Sequence, residues 1–293
     1  MGEPIVSRRT FVASAGASIS LVPVSGCIGS DGERIVAGIL PDVDPDTAID
    51  QNRPLADYLA EAADVSIDLE TTSDYASLVQ AMAAEEIDLA YFGGISYVMA
   101  HNRAGAEAIV VAEQHGITEW QSVIIANENS AITEPGDIAD EEVAFVLGDP
   151  LSTTGSVMPT YYAYDELGID LESEVDGPTH VGAHDAVFRI VANHDADAGA
   201  LNSRIYDTLR EEREDAAVRE IWRTPPFPNY PWAVAPWIDE RMVDALQSAF
   251  LSFHESVPEE DLDALNVDRY VETDHHAFLD LIAAAEFLDV LED

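Results

Sequence analysis

Val143-Ala144-Phe145-Val146-Leu147-Gly148-Asp149-Pro150-Leu151-Ser152-Thr153-Thr154-Gly155-Ser156 is an apolar run that stops at a glycine, turns, and restarts on three hydroxyl residues. The run over 142–147 predicts a strand, and the spacing over 156–167 predicts a helix closed by Gly168. A helix that opens directly after a strand presents unpaired backbone N–H groups at its positive end, which suits an anion. Ser152, Thr153 and Thr154 add hydroxyl donors at the same point, and Gly155 is expected to let a ligand approach the backbone. An ordinary Ser/Thr cap accounts for one hydroxyl but not for three. A nucleotide P-loop needs Gly, four residues, then Gly-Lys; the spacing differs and the lysine is missing.

Outward from this turn, short β-branched runs alternate with longer helical ones. Strands are expected at 34–40, 66–70, 88–92 and 108–111, with helices at 54–63, 75–84 and onward from Ser96 after Gly93-Gly94. The pattern restarts after a strand at 121–126, with a helix at 184–192, a strand at 196–201, a helix from Ser203 and a strand at 219–222. The remainder, 238–293, is helical in period. Repeated βα units predict an α/β fold of mainly parallel sheets flanked by helices. Crossings near 121–126 and 219–224 divide it into two lobes with a cleft between them: 34–122 plus 225–293, and 123–224.

Composition narrows the setting. Among 293 residues, 57 are acidic and 13 basic, giving a net charge of −44, and every basic residue is arginine. A field this negative repels phosphate backbones, so nucleic acid is excluded as a partner. The self-repulsion needs screening, and at ~1 M salt the Debye length is roughly 3 Å. The chain therefore reads as adapted to molar salt. At 47% hydrophobic it has enough apolar surface for a core. Ser7-Arg8-Arg9-Thr10-Phe11-Val12 is a twin-arginine run before an apolar stretch, 12–24, too short to span a bilayer. Val24-Ser25-Gly26-Cys27 looks like a lipobox. The expectation is an export signal over 1–27 carrying Arg8 and Arg9, lipidation at Cys27, a linker over 28–33, and a body anchored to the outer face of the cell membrane. With one cysteine, no internal disulfide forms.

Other constellations carry less. His180 and His184 are spaced as zinc ligands, but Gly182 lies between them and no glutamate takes the zincin position. Asp42, Asp44 and Asp46 begin like a calcium loop, yet Thr47 and Arg53 stand where Gly and Glu belong, leaving a solvated acidic loop. No metal and no cofactor are expected. There is no Gly-x-Ser-x-Gly elbow. His184-Asp185 reads as a donor with a carboxylate at a helix start, and Trp222 and Trp232 as packing residues.

Seven blocks in order carry a resemblance: Thr72-Ser73-Asp74-Tyr75, 87–94, Trp120-Gln121-Ser122-Val123-Ile124, 148–155, His184-Asp185, Ala198-Gly199-Ala200-Leu201-Asn202, and 221–225 leading to Asn229-Tyr230-Pro231-Trp232. From about Arg34 to Trp232 the chain resembles the phosphonate/phosphite/phosphate (PhnD-like) substrate-binding proteins of ABC importers, which have the type II periplasmic-binding-protein fold; selenate-type members look close. The resemblance implies a tetrahedral oxyanion held between the lobes by Ser152, Thr153, Thr154 and His184 on one side and Tyr75 on the other, with Tyr230 lining the cleft. Ser96, Asp185 and Asn229 are expected around them. It implies permease and ATPase partners, a monomer, and no catalysis. Phe92 stands where aminophosphonate binders carry tyrosine, and Asn229 where phosphite-type proteins carry aspartate, which favours compact, fully deprotonated anions. Competing readings are a ferric-ion binder using Tyr75, His184, Asp185 and Tyr230, and an exported phosphoester hydrolase.

Overall fold

The computed structural model describes residues 33–139, 142–175 and 178–291. Arg8, Arg9 and Cys27, and with them the export and lipid-anchor readings, lie outside the described residues. In chain order the elements are β1 (Arg34–Ile39), α1 (Pro45–Ala63), β2 (Ser66–Thr71), α2 (Tyr75–Ala83), β3 (Leu89–Tyr91), α3 (Gly94–Ala104) and β4 (Glu107–Glu113). Then follow β5 (Glu119–Trp120), β6 (Ser122–Asn127), β7 (Phe145–Leu147), α4 (Met158–Tyr162), α5 (Leu171–Glu174), β8 (Thr179–His180), α6 (His184–Ala192), β9 (Ala198–Asn202), α7 (Ser203–Glu212) and β10 (Val218–Arg223). Last come β11 (Phe227–Pro228), β12 (Pro231–Val234), α8 (Glu240–Ser256), α9 (Glu259–Leu265), β13 (Arg269–Glu272) and α10 (Leu279–Phe287).

Two sheets organise these elements, in the orders β13-β4-β12-β3-β1-β2 and β10-β6-β9-β7-β8. Both are mixed. β1 pairs in parallel with β2 and β3, and β7 with β8 and β9. Antiparallel ladders belong to β6, β10 and β12, the strands at which the chain enters or leaves a lobe, and to edge strand β13. Local periodicity carries no sign of strand direction, so these ladders are absent from the sequence reading. Helices cover both faces: Leu55, Leu59 and Phe250 pack on one side of the first sheet, and Leu78, Val79 and Val98 on the other.

The two crossings run side by side. Phe227 faces Trp120 in the β5–β11 pair. Thr224 N–H donates to Ser122 O at 3.1 Å and Ser122 N–H to Thr224 Oγ1 at 2.9 Å. The last helix, α10, does not stay on the first sheet. Its Leu281, Ala284 and Ala285 share one apolar cluster with Val157 and Met158, and Phe287 meets the rings of Tyr161 and Tyr164 at 5.7 and 5.4 Å.

Three local expectations need correction. The first helix starts at Pro45, not Pro54, because Asp44 accepts from the Asp46 and Thr47 N–H groups and proline suits the first helical position. The buried stripe through Ala48, Leu55 and Leu59 carries the helix past Pro54 at the loss of one hydrogen bond. Residues 269–272 form β13, not helix. Only Tyr270 of the four is buried, and the strand exists through its pairing with β4 and the two Arg269–Glu113 contacts at 2.8 and 2.9 Å. Asp42 is not solvated: it is 6% exposed, and burial pushes its carboxyl up to about 6.

Central strand β9 has no room for another atom at Gly199, where an added Cβ would sit 2.7 Å from both the carbonyl oxygen and a methyl of Val146. Backbone cannot yield cheaply, so Gly199→Ala is expected to cost about 1–3 kcal/mol, read as a lowered denaturation midpoint in molar salt. An unchanged midpoint would mean that the sheet is looser than drawn.

Candidate functional site

The turn after β7 is closed by its own backbone, with Gly148 N–H donating to Gly155 O at 2.9 Å. Helix begins at Thr153, earlier than the sequence reading, as a π turn over Thr153–Val157 in which Val157 N–H reaches back to Ser152 O at 3.0 Å. Such single π turns are rare and recur at functional sites. The three hydroxyls have separate tasks. Ser152 caps the turn, accepting from Gly155 N–H at 3.0 Å. Thr153 faces the other lobe and accepts from Ile95 N–H, at the start of α3, at 2.8 Å. Thr154 shares a 2.6 Å hydrogen bond with the Tyr230 hydroxyl.

His184 opens α6 and completes the cluster. Its backbone N–H donates across the lobes to Asp42 O at 3.0 Å. Its Nδ1 accepts from Asn202 N–H at 3.3 Å, so in the neutral ring the proton sits on Nε2. Nε2 lies 3.4 Å from both Ser152 Oγ and Thr154 Oγ1. Full burial, and then the charge of Arg204, push the imidazole down to about 3. His184 is thus a neutral, one-way donor. Gly155 serves this ring, correcting the expectation that it makes way for a ligand: an added Cβ would lie 2.7 Å from His184 Cε1.

From the first lobe, Tyr75 begins α2, fully buried, with its N–H donating to Asp149 Oδ2 at 3.3 Å and its hydroxyl without a partner. Burial, ahead of Tyr230 and Asp42, holds its phenol well above the usual value. Burial likewise pushes Tyr230 up to about 12. Tyr230 packs on Trp120 at 4.3 Å between centroids.

The secondary candidates border this cluster. Ser96 turns its hydroxyl inward to Gly93 O at 3.1 Å. Asn229 spends its amide on Ala112 O at 2.7 Å and its oxygen on Tyr230 N–H at 2.6 Å, so it holds Tyr230 instead of offering a donor. Asp185 pairs with Arg189 at 3.3 Å and lines a cavity of about 510 Å³ beside the cluster, with Asp42, Tyr91, Arg204 and Tyr270. His180 gives Nδ1–H to Gly148 O at 2.9 Å, away from any metal role. Among the described residues no group of three or more His, Cys, Asp or Glu is placed to hold a metal ion.

Two contributors escaped the sequence reading. Asn202 caps α7 and is fully buried at the cluster; its place in a resembling block was the available signal. Arg204 donates to Leu265 O at 2.8 Å in the other lobe and stacks over Trp120 at 4.8 Å. No sequence pattern marks that contact.

With this geometry in view, the comparisons are informative. The profile of the family described as "ABC transporter, phosphonate, periplasmic substrate-binding protein" matches residues 37–278. The chain is 24% identical, over 96% of its length and 92% of the relative's, to the probable ABC transporter phosphite binding protein PhnD1 of Prochlorococcus marinus. It is 27% identical, over 82% of its length and 80% of the relative's, to the phosphate-import protein PhnD of Mycolicibacterium smegmatis. The solved structure of P. marinus PhnD1 in complex with methylphosphonate superposes with a TM-score of 0.81 at 21% identity, covering 88% of this chain and 98% of that one.

Two titrations test the electrostatics. His184 is held below its ordinary 6.5, so the unfolded chain takes the proton first as pH falls; this stability is full above about 6.5 and lost towards about 3. Imidazole NMR is expected to show His184 neutral, with the proton on Nε2, down to about pH 4; titration near 6.5 would contradict the geometry. Asp42 has the opposite sign. Raised from 3.8 to about 6, it favours the fold below 3.8, and that stability is lost as pH rises through 6. Asp42→Asn is therefore expected to stabilise the fold by about 1–3 kcal/mol at about pH 8 and by nothing below about pH 4, measured by denaturant unfolding.

Proposed function

We propose, from the premise that the chain belongs to the family of ABC-transporter phosphonate periplasmic substrate-binding proteins, that it captures a small tetrahedral oxyanion between its two lobes. The observation that carries this reading is the meeting of Thr154 and Tyr230 at 2.6 Å, with His184 on one side and the unpartnered Tyr75 hydroxyl fully buried. Neutral donors in a desolvated cleft recognise a compact anion without a lysine, and charge-assisted hydrogen bonds are the strong kind. In this reading the Thr153 hydroxyl takes, from Ile95 N–H, the hydrogen bond that a ligand oxygen can also accept. The bodies that move are 34–122 plus 225–293 and 123–224, hinged at the paired crossings. Closure presents the loaded form to a permease and its ATPase.

The names of the relatives favour phosphite, phosphate or a small phosphonate, and the selenate-like option stays open through the family blocks. Twin-arginine export through Arg8 and Arg9, lipidation at Cys27, a monomeric state and life in brine complete the proposal. The net charge of −44 is compatible with anion capture there. Distant carboxylates are screened beyond ~3 Å at ~1 M salt, whereas contact donors in the cleft are not.

Calorimetric titration in molar salt with phosphite, phosphate, methylphosphonate, sulfate and selenate is the direct test. At least one is expected to bind, with fully deprotonated forms preferred. Thr154→Val, which keeps shape but loses the hydroxyl, is expected to weaken binding roughly 10- to 100-fold. No heat with any of the five would reject the reading. Affinity is also expected to fall as salt is withdrawn; a steady rise on dilution, with circular dichroism unchanged, would overturn the brine argument.

A further inference from the structure

Asn202 ends β9 and caps α7. Its Oδ1 accepts from Arg204 N–H at 2.9 Å and from Ile205 N–H at 3.4 Å. The reverse orientation would set the NH2 group against two backbone donors, so the amide can lie only one way. Nδ2 must then point away from the helix. It is fully buried and meets no acceptor. On that side lies the Tyr230 hydroxyl, already engaged with Thr154 at 2.6 Å. It forms no hydrogen bond with Nδ2 but is near enough for the amide to oppose the burial-driven rise of the phenol pKa. A buried donor left without a protein partner is costly, and a folded chain keeps one where a ligand or an ordered water completes it.

We infer that Asn202 Nδ2 is a direct ligand donor and that Asn202 governs which face of the oxyanion is accepted. It acts twice. Its backbone N–H fixes the His184 tautomer, leaving Nε2–H as a donor that cannot accept. Its side chain supplies a second donor locked in the same sense. The hydroxyls of Tyr75, Ser152, Thr154 and Tyr230 rotate, and each can donate or accept. One side of the site therefore reads only bare acceptor oxygens, and the other tolerates a proton. A ligand must turn at least one fully deprotonated oxygen face to His184 and Asn202, and any P–H, P–OH or alkyl substituent must point elsewhere. The inference rests on the oxyanion reading and sharpens it: the ligand class is a tetrahedral anion with two or more unprotonated oxygens on one face.

Asn202→Asp separates this from a capping role. The carboxylate still offers one oxygen to Arg204 and Ile205 N–H, and the contact to His184 uses backbone, so cap and tautomer survive. The outward donor becomes an acceptor facing the anion. With inorganic phosphate and phosphite as probes in molar salt, at about pH 8, binding is expected to fall more than 100-fold while thermal unfolding stays cooperative. Asn202→Ser keeps a capping oxygen without reach or charge, and a loss of roughly 10-fold is expected. If the buried carboxylate prevents folding, the wild type still decides: its Asn202 side-chain amide protons are expected to move downfield on saturation with the probe. Affinity within twofold of wild type in either folded variant, or unmoved amide protons, would overturn the inference. Wild type that binds neither these probes nor the other three anions would sink the oxyanion reading itself.

Discussion

A buried polar group must find a partner, and at the heart of this chain the partners lie on opposite sides of a cleft. The turn at 152–154 belongs to the second lobe, yet Thr153 is satisfied by the start of α3 and Thr154 by Tyr230, both in the first. The Tyr75 and His184 N–H groups cross in the same manner, to Asp149 and Asp42. Unpaired groups of this kind are expensive in a low-dielectric interior, so the lobes can separate fully only if water or a ligand takes over these bonds. The paired crossings, the neutral histidine and the glycine under its ring all serve that junction.

Charge sharpens the same constraint. The chain carries −44, and no side chain of the hydroxyl cluster is cationic. His184 is kept neutral by burial, and Arg204, beside the cluster, gives Nη1–H to the α9 carbonyl end and lies over Trp120, while its buried Nε–H has no partner. What remains is geometry: Ser152, Thr154, Tyr230 and His184 gathered in one buried polar cluster, whose strength depends on excluding water and little on the distant surface. Asp42, buried at the wall of that space with its carboxyl raised to about 6, sheds its charge only as pH falls below about 6.

Much of the fold was legible. The helix at 184–192 was read to the residue, and the strands at 34–40 and 66–70 to within one, since apolar periodicity and caps are local. Where the reading failed, the deciding partner was far along the chain. β13 is a strand because β4 lies beside it, and Pro54 is mid-helix because a buried stripe holds both sides of it. Gly155 was noticed as a point of close approach, but what approaches is His184, some thirty residues on.

By itself the sequence determined the α/β alternation, the two crossings, the hydroxyl turn at the head of a helix and the family blocks, because each is written in neighbouring residues. Only the tertiary structure decided the direction of the crossing strands, the burial of Asp42, the withdrawal of Ser96 and Asn229 into backbone contacts, and the one-way orientation of Asn202 and His184. The physical reason is that a donor's direction depends on what satisfies its other end. Here that is Arg204 and Ile205 N–H for Asn202, and Asn202 N–H for His184, contacts that exist only once β9, α6 and α7 have packed together.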